Sequence, residues 1–390
     1  MKVGILTLVP YDNYGGILQG YALQTMLERM GHDVTVMNTK LYNYVPPKTR
    51  FKQEVKWLIK RFILHRKDIS AYSPYQLDKW KDYRVSALKP FIDKQVHLTR
   101  TFSNGVKDIA NFAEQEQYDA FVVGSDQTWR PELSPDLYHL FCDFVPANSP
   151  VKRIAYAASF GVDKMPLNQE QLAYCKPLLQ RFKAVTLREA SGIELCNKYF
   201  GVDAKLVLDP TLLLDKSDYM QLISEYKPTH PDIRLLQYVF FWNHEERSII
   251  DKVSSLLNSQ PTNLFPKKFL GEINNESELP LAKFQPLEEW LYAYSKSEFV
   301  VTDSFHGTVF CIIFNVPFLV VSPEAVTRFK SLLGLFGLED RLIMKAAEVT
   351  PELLNRPIDW EFVNQRRRLF KTQSIKFLQN ALKVNSQTNS

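Results

Sequence analysis

The chain has 390 residues, of which 45% are apolar and 23% charged, with a net charge of +5 and a mean hydropathy of −0.22. These are ordinary globular values; they exclude disorder as the main state, and no run approaches the ~18 apolar residues of a membrane span. The length suits two or three domains, and the widely spaced Cys142, Cys175, Cys196 and Cys311 form neither a zinc pair nor a secreted disulfide framework, so reduced thiols in a cytoplasmic protein are expected.

The first apolar run, Val3–Leu8, reads as a buried strand. Lys2 is the lone charge before it and no small-residue cleavage site follows, which argues against a signal peptide. A helix is predicted over Gly16–Met30, stopped by Gly31, and a second strand over Asp33–Met37. Residues 41–117 read as a mostly helical insertion. Within it, residues 41–100 hold 14 Lys+Arg and 5 Asp+Glu, a balance of +9 that leaves the rest of the chain at −4. Over 48–67, Phe51, Val55, Leu58 and Phe62 recur at helical spacing among Lys52, Lys56, Lys60 and Arg61. Such a basic amphipathic helix suits either an anionic membrane surface or a solvated face on its own domain. No nucleic-acid motif accompanies the charge.

Strands follow at Ala120–Val123, Arg153–Tyr156 and Ala184–Leu187, with helices near 168–180 and 189–199. Leu206–Tyr219 closes a strand and runs into a connector. A second series then begins: strand Arg234–Phe240, helix Glu245–Leu257, helix Pro286–Tyr294, strand Phe299–Thr302, helix His306–Phe314, strand Pro317–Val321 and helix Thr327–Phe336. A long helix, Trp360–Leu382, and a loose tail, Val384–Ser390, end the chain. Strands alternating with helices imply parallel sheets. The expected organisation is an α/β domain over 1–207, a connector over 208–232, a second α/β domain over 233–357 and a terminal helix and tail over 358–390: two doubly wound, Rossmann-like domains facing a cleft, with sites at the carboxyl ends of the strands.

Four places there present chemistry. Asp12-Asn13-Tyr14-Gly15-Gly16 follows the first strand, and 3 of only 14 glycines, Gly15, Gly16 and Gly20, fall within six residues. The pair permits close backbone approach to an anion at a helix N-terminus, or simply a tight turn; it matches neither the dinucleotide nor the phosphate-loop pattern. Gly124-Ser125-Asp126-Gln127 presents polar side chains at a strand end, either to bind or deprotonate a hydroxyl or to cap a helix. Thr302-Asp303-Ser304-Phe305-His306-Gly307-Thr308 sets an imidazole and backbone N–H groups at a helix start after a buried strand, a setting for anion binding and proton donation. Arg188-Glu189 offers a guanidinium fork, or a surface salt bridge; Arg328, near a helix start, is a weaker candidate. The remaining histidines form no metal array, so no metal or other cofactor is expected.

The segments NYGGILQGYALQ (13–24), VVGSDQTW (122–129), TLRE (186–189), LDPTLL (208–213), TDSFHGTVF (302–310) and RFKSLLGLFGLEDR (328–341), in this order, resemble the polysaccharide pyruvyl transferase family. The resemblance implies a two-domain fold similar to GT-B glycosyltransferases. It also implies transfer of a pyruvyl group from phosphoenolpyruvate to a saccharide, usually as a ketal, in the assembly of an exopolysaccharide or capsule and often on a lipid-linked precursor. That would be work for the cytoplasm or the cytoplasmic face of a membrane. Some branches carry Arg-Leu-His where this chain has Ser304-Phe305-His306; the His is kept and the Arg is not, which moves the charge for the donor to Arg188 or Arg328.

On this reading His306 is the acid or phosphate partner, Arg188 the carboxylate or phosphate clamp, and Asp126 an acceptor-binding residue or base. Asn13, Gly15, Gly16, Ser125, Gln127, Ser304, Gly307, Thr308 and Arg328 form the substrate-binding set. The alternatives are a nucleotide-sugar-dependent glycosyltransferase on the same fold and a catalytically inactive assembly subunit, since fold does not fix function.

Overall fold

A computed structural model describes residues 1–8, 13–39, 47–66, 68–102, 106–134, 137–240, 243–322 and 327–383. Asp12 of the glycine turn, Lys67 of the basic stretch, residues 41–46 of the insertion and the tail Val384–Ser390 lie outside the described residues.

The first half builds a six-stranded sheet. Strand β1 (Lys2–Leu6) leads to α1 (Tyr14–Arg29), and β2 (Asp33–Val36) follows. The insertion forms α2 (Pro47–Leu58), which continues into a π turn at Ile59–Ile63, then α3 (Pro74–Val85), α4 (Lys89–Gln95) and α5 (Val106–Glu116). Next come β3 (Ala120–Val123), β4 (Lys152–Ala158), α6 (Gln169–Leu179), β5 (Ala184–Leu187), α7 (Ala190–Leu195), β6 (Ala204–Leu206) and α8 (Lys216–Leu222). The strand order is β2-β1-β3-β4-β5-β6, parallel throughout.

The second sheet is smaller. It comprises β7 (Leu235–Tyr238), α9 (His244–Leu257), β8 (Pro261–Asn263), α10 (Leu287–Lys296), β9 (Phe299–Thr302), α11 (Phe305–Phe314), β10 (Phe318–Val321), α12 (Thr327–Phe336) and β11 (Leu342–Ile343). Its parallel order is β11-β10-β9-β7-β8. The chain ends in α13 (Pro351–Asn355) and α14 (Trp360–Leu382). Two parallel sheets with flanking helices are the α/β architecture read from the alternation of strands and helices. The all-apolar runs of β3 and β10 and the FVVT of β9 are fully buried, as expected for strands covered on both faces.

Two features join the halves. Tyr14, at the first turn of α1, enters the second half: its ring stacks on Trp290 at 5.7 Å and its hydroxyl donates to the Gln285 carbonyl at 3.0 Å. Helix α14 runs back to the first sheet, where the Ser374 hydroxyl accepts from Leu208 N–H and the Lys152 ammonium donates to the Leu382 carbonyl. One apolar cluster consequently spans both sheets, from Val3 and Ile17 to Phe310 and Val320. All four cysteines are buried and unpaired.

Candidate active site

The strand ends converge on one cleft. Crossover connections leave β1 and β3 on opposite sides, so a crevice opens at their carboxyl ends. Thr7 follows β1, Ser125 and Asp126 follow β3, Arg188 follows β5, and Asp209 lies three residues beyond β6. From the other sheet, β7 ends near Phe240 and β9 near Asp303 and Ser304. The cleft has a volume of about 1530 Å³ and is lined by Asn13, Gly16, Asp126, Gln127, Arg188, Ser304, His306 and Arg328 among others.

Its floor is a buried ionic network. The Arg188 guanidinium donates through Nη1 to Asp209 Oδ2 at 2.9 Å and through Nη2 to Asp126 Oδ1 at 2.8 Å, with a Glu189 oxygen 3.9 Å from Nε. The Phe305 ring covers the guanidinium, its centroid 4.3 Å from Cζ. Only 1% of the Arg188 side chain is exposed. A clamp was expected here; in this structure Nη1 and Nη2 each already hold a carboxylate, while Nε has no hydrogen-bond partner among the described residues and Arg188 lines the cleft.

Asp209 is the hub. Its Oδ2 also accepts from the Ser125 hydroxyl at 2.8 Å, and its Oδ1 accepts from Thr211 N–H and hydroxyl at 3.1 and 2.7 Å. His306 Nε2 stands 3.6 Å from Oδ2 and has no hydrogen-bond partner among the described residues. Burial pushes the Asp209 carboxyl up, but His306, Arg188 and Thr211 outweigh it and hold it well below the usual carboxylate range. Burial likewise opposes ionisation of Asp126, and Arg188 with His306 prevails, so its carboxyl is lowered too. At Glu189 burial wins over Arg188 and the carboxyl is raised.

Glycine matters where the two halves meet. A Cβ on Gly15 would stand inside contact distance of Nδ1 and Cγ of His306. The α1 N-terminus can approach the imidazole because position 15 has no side chain. Asp126 has a left-handed backbone, φ 72°, a conformation uncommon outside glycine that turns its carboxylate toward Arg188.

Of the backbone N–H groups expected to meet an anion, those of Gly16, Gly307 and Thr308 already have partners within the chain. Asn13 caps α1 by accepting from Gly16 N–H at 3.2 Å. Ser304 caps α11, its hydroxyl accepting from Gly307 N–H at 3.2 Å and its carbonyl from Thr308 N–H at 2.9 Å. Gly307 and Thr308 do not line the cleft: a Cβ at Gly307 would meet Tyr294 and Thr302, and the Thr308 hydroxyl turns back to the Ser304 carbonyl. Ser125 is fully buried and serves Asp209 rather than the cleft, while its N–H donates to Gln19 Oε1 at 2.9 Å. Gln127 lines the cleft and accepts from Arg130 Nη1 at 2.8 Å. Arg328 lines it half-buried, its Nε without a partner among the described residues; burial, with Arg188 nearby, lowers its pKa.

Asp209 and Gln19 were not singled out from the sequence as site residues. Asp209 carries the same signal as Asp126 and Asp303, an acid just past a strand, here followed by a proline turn whose start it caps. The basic insertion also contributes: Lys81 and Arg84 of α3 and Lys89 of α4 line the cleft wall.

A family model described as polysaccharide pyruvyl transferase matches residues 13–324. No curated protein matches the sequence. Among solved structures, the S. aureus MnaA–UDP complex is 13% identical over 100% of this chain and 99% of that one, with a TM-score of 0.50. The UDP-N-acetylglucosamine 2-epimerase of Rickettsia bellii is 11% identical over 97% and 96%, TM-score 0.48. The glycotransferase of kitacinnamycin is 12% identical over 98% and 99%, TM-score 0.47. At 13% identity the likeness to the MnaA–UDP complex is one of fold alone, a GT-B-like arrangement of two parallel sheets with flanking helices.

Proposed function

The chain belongs to the polysaccharide pyruvyl transferase family, and from that membership we propose that it moves the pyruvyl group of phosphoenolpyruvate onto a saccharide, forming a ketal on a polysaccharide repeat unit or its lipid-linked precursor. The observation that carries this reading within the family is His306: an imidazole on the cleft wall with a buried carboxylate 3.6 Å from Nε2. An imidazole placed at a cleft is a group that can act as a general acid.

Ketal formation needs such a group. A proton goes to the methylene carbon of phosphoenolpyruvate while the enol electron pair forms the new C–H bond. A saccharide hydroxyl oxygen attacks C2, the bond from C2 to the phosphate oxygen breaks, and inorganic phosphate leaves. A second hydroxyl closes the ketal, and the two hydroxyl protons balance the proton spent on carbon and the one taken by the leaving phosphate. No electrons are transferred to an outside acceptor. His306 supplies the proton, Asp126 at the cleft receives one from the acceptor hydroxyl, and Arg328 meets the donor's negative charge. Arg188 is a positioning residue that holds Asp126 and Asp209 in place. Rate then comes from placed charge and proton transfer.

Donor choice tests the reading. Phosphoenolpyruvate should raise the melting temperature of the purified chain, and UDP- and GDP-sugars should not. Stabilisation by a nucleotide sugar and not by phosphoenolpyruvate would assign the cleft to glycosyl transfer instead.

A further inference from the structure

The largest concentration of exposed apolar side chains among the described residues lies outside the cleft, on α2 and the π turn that continues it. Phe51 is 70% exposed, Phe62 61% and Ile63 69%, with Leu58, Ile59 and Leu64 also exposed. Monomeric proteins rarely leave such a patch uncovered.

The way α2 is held fixes which side this is. Arg50 donates to Asp78 at 3.0 Å, Glu54 accepts from Tyr75 N–H at 2.6 Å, and Trp57 Nε1–H donates to the Ser70 carbonyl at 3.1 Å. Positions 50, 54 and 57 fall within roughly 60° of one another on a helix and form the face turned to α3 and the turn before it. Phe51, Val55 and Leu58 lie roughly 80–140° round from it, and Lys52 and Lys56 continue the arc at roughly 200–240°. Lys60 follows in the π turn. The one acid of residues 47–66, Glu54, is engaged on the inner face. The outer face is therefore apolar, bordered by lysines and without an acid.

The geometry points to this face as a docking surface for an anionic phospholipid membrane, with Phe51, Leu58 and Phe62 entering the headgroup region and Lys52, Lys56 and Lys60 meeting its phosphates. A second copy of the chain fits less well, because pairing two such faces would set lysines against lysines. The placement has a use. Helix α3, on which α2 rests, lines the cleft with Leu77, Lys81 and Arg84, so the docked surface is about one helix diameter, ~10 Å, from it. Delivery of a lipid-anchored acceptor to the cleft rests on the transferase reading above; the docking itself does not.

Vesicle co-sedimentation of the full chain tests docking with neither donor nor acceptor present, so its outcome is separate from that of the transferase reading. Wild type should sediment with phosphatidylglycerol-containing vesicles at low salt, be released at high salt, and bind phosphatidylcholine vesicles at least tenfold more weakly. Lys52→Glu/Lys56→Glu/Lys60→Glu should lower partitioning roughly a hundredfold. Phe51→Ser/Leu58→Ser/Phe62→Ser should lower it at low salt although every lysine is kept. Wild type that ignores the anionic vesicles, or binds both kinds equally, overturns the proposal. So does a chain that dimerises in vesicle-free solution through Phe51, Leu58 and Phe62 and leaves vesicles unbound. The wild-type comparison decides the matter by itself should a variant fail to fold.

Discussion

Asp209 concentrates the chemistry of the site in one carboxylate. It receives bonds from Arg188, Ser125 and Thr211 and faces His306. Removing one partner of a buried ion pair leaves the other charge uncompensated and costs about 3–5 kcal/mol, so Asp209→Asn should lose stability of that order in urea unfolding. The pH dependence has a definite sign. The folded-state pKa of Asp209 is depressed below its unfolded value of about 3.9. Its stabilisation is therefore complete above that value and is lost as pH falls toward the folded pKa. Wild-type stability should decline from about pH 5 downward, and Asp209→Asn should decline less steeply. Equal slopes would show that this carboxylate is not held ionised by the fold. Gly15 makes a second residue-scale case. Gly15→Ala puts a methyl where the His306 ring lies, and kcat should fall about 10²-fold, the usual cost of misplacing an acid. An unchanged kcat would mean that His306 can shift without consequence.

At the scale of elements, the strand ends were legible and their use was not. Ala120–Val123, Ala184–Leu187 and Phe299–Thr302 announce themselves as short apolar runs closed by polar residues, and the strands keep those bounds. What a run cannot reveal is where the polar groups after it turn. Ser125 and Asp126 are neighbours in sequence, yet one is buried against Asp209 and the other reaches the cleft. Asp209 was hidden because its partners lie 21, 84 and 97 positions away, at Arg188, Ser125 and His306. The helix starts expected to bind an anion with free N–H groups are capped by Asn13 and Ser304, residues that favour this position. Asn13→Ala should accordingly cost about 1 kcal/mol of stability, and Asn13→Asp, another good cap, should restore it. A donor KM raised in both variants with stability unchanged would instead make Asn13 a ligand contact.

At the scale of the molecule, the cleft exists because two sheets are held face to face by Tyr14 in its aromatic socket and by α14 returning to the first sheet. The alternation of strands and helices gave the two sheets in advance. The return of α14 was not legible, because its seating depends on contacts with Leu208 and Lys152, far upstream. The charge of the insertion was visible in sequence, but not that it divides, with Lys81, Arg84 and Lys89 at the cleft and Lys52 and Lys56 on the outer surface. The central claim is that this cleft transfers a pyruvyl group by a proton from His306. The direct measurement is mass spectrometry of a saccharide extract, lipid-linked fraction included, incubated with the purified chain and phosphoenolpyruvate, with inorganic phosphate followed in the same tubes. Wild type should release phosphate and add one pyruvate-sized mass to an acceptor, and His306→Ala should do both at least about 10²-fold more slowly. Neither phosphate nor a mass increase from wild type, or equal rates from the His306→Ala chain, would contradict the account.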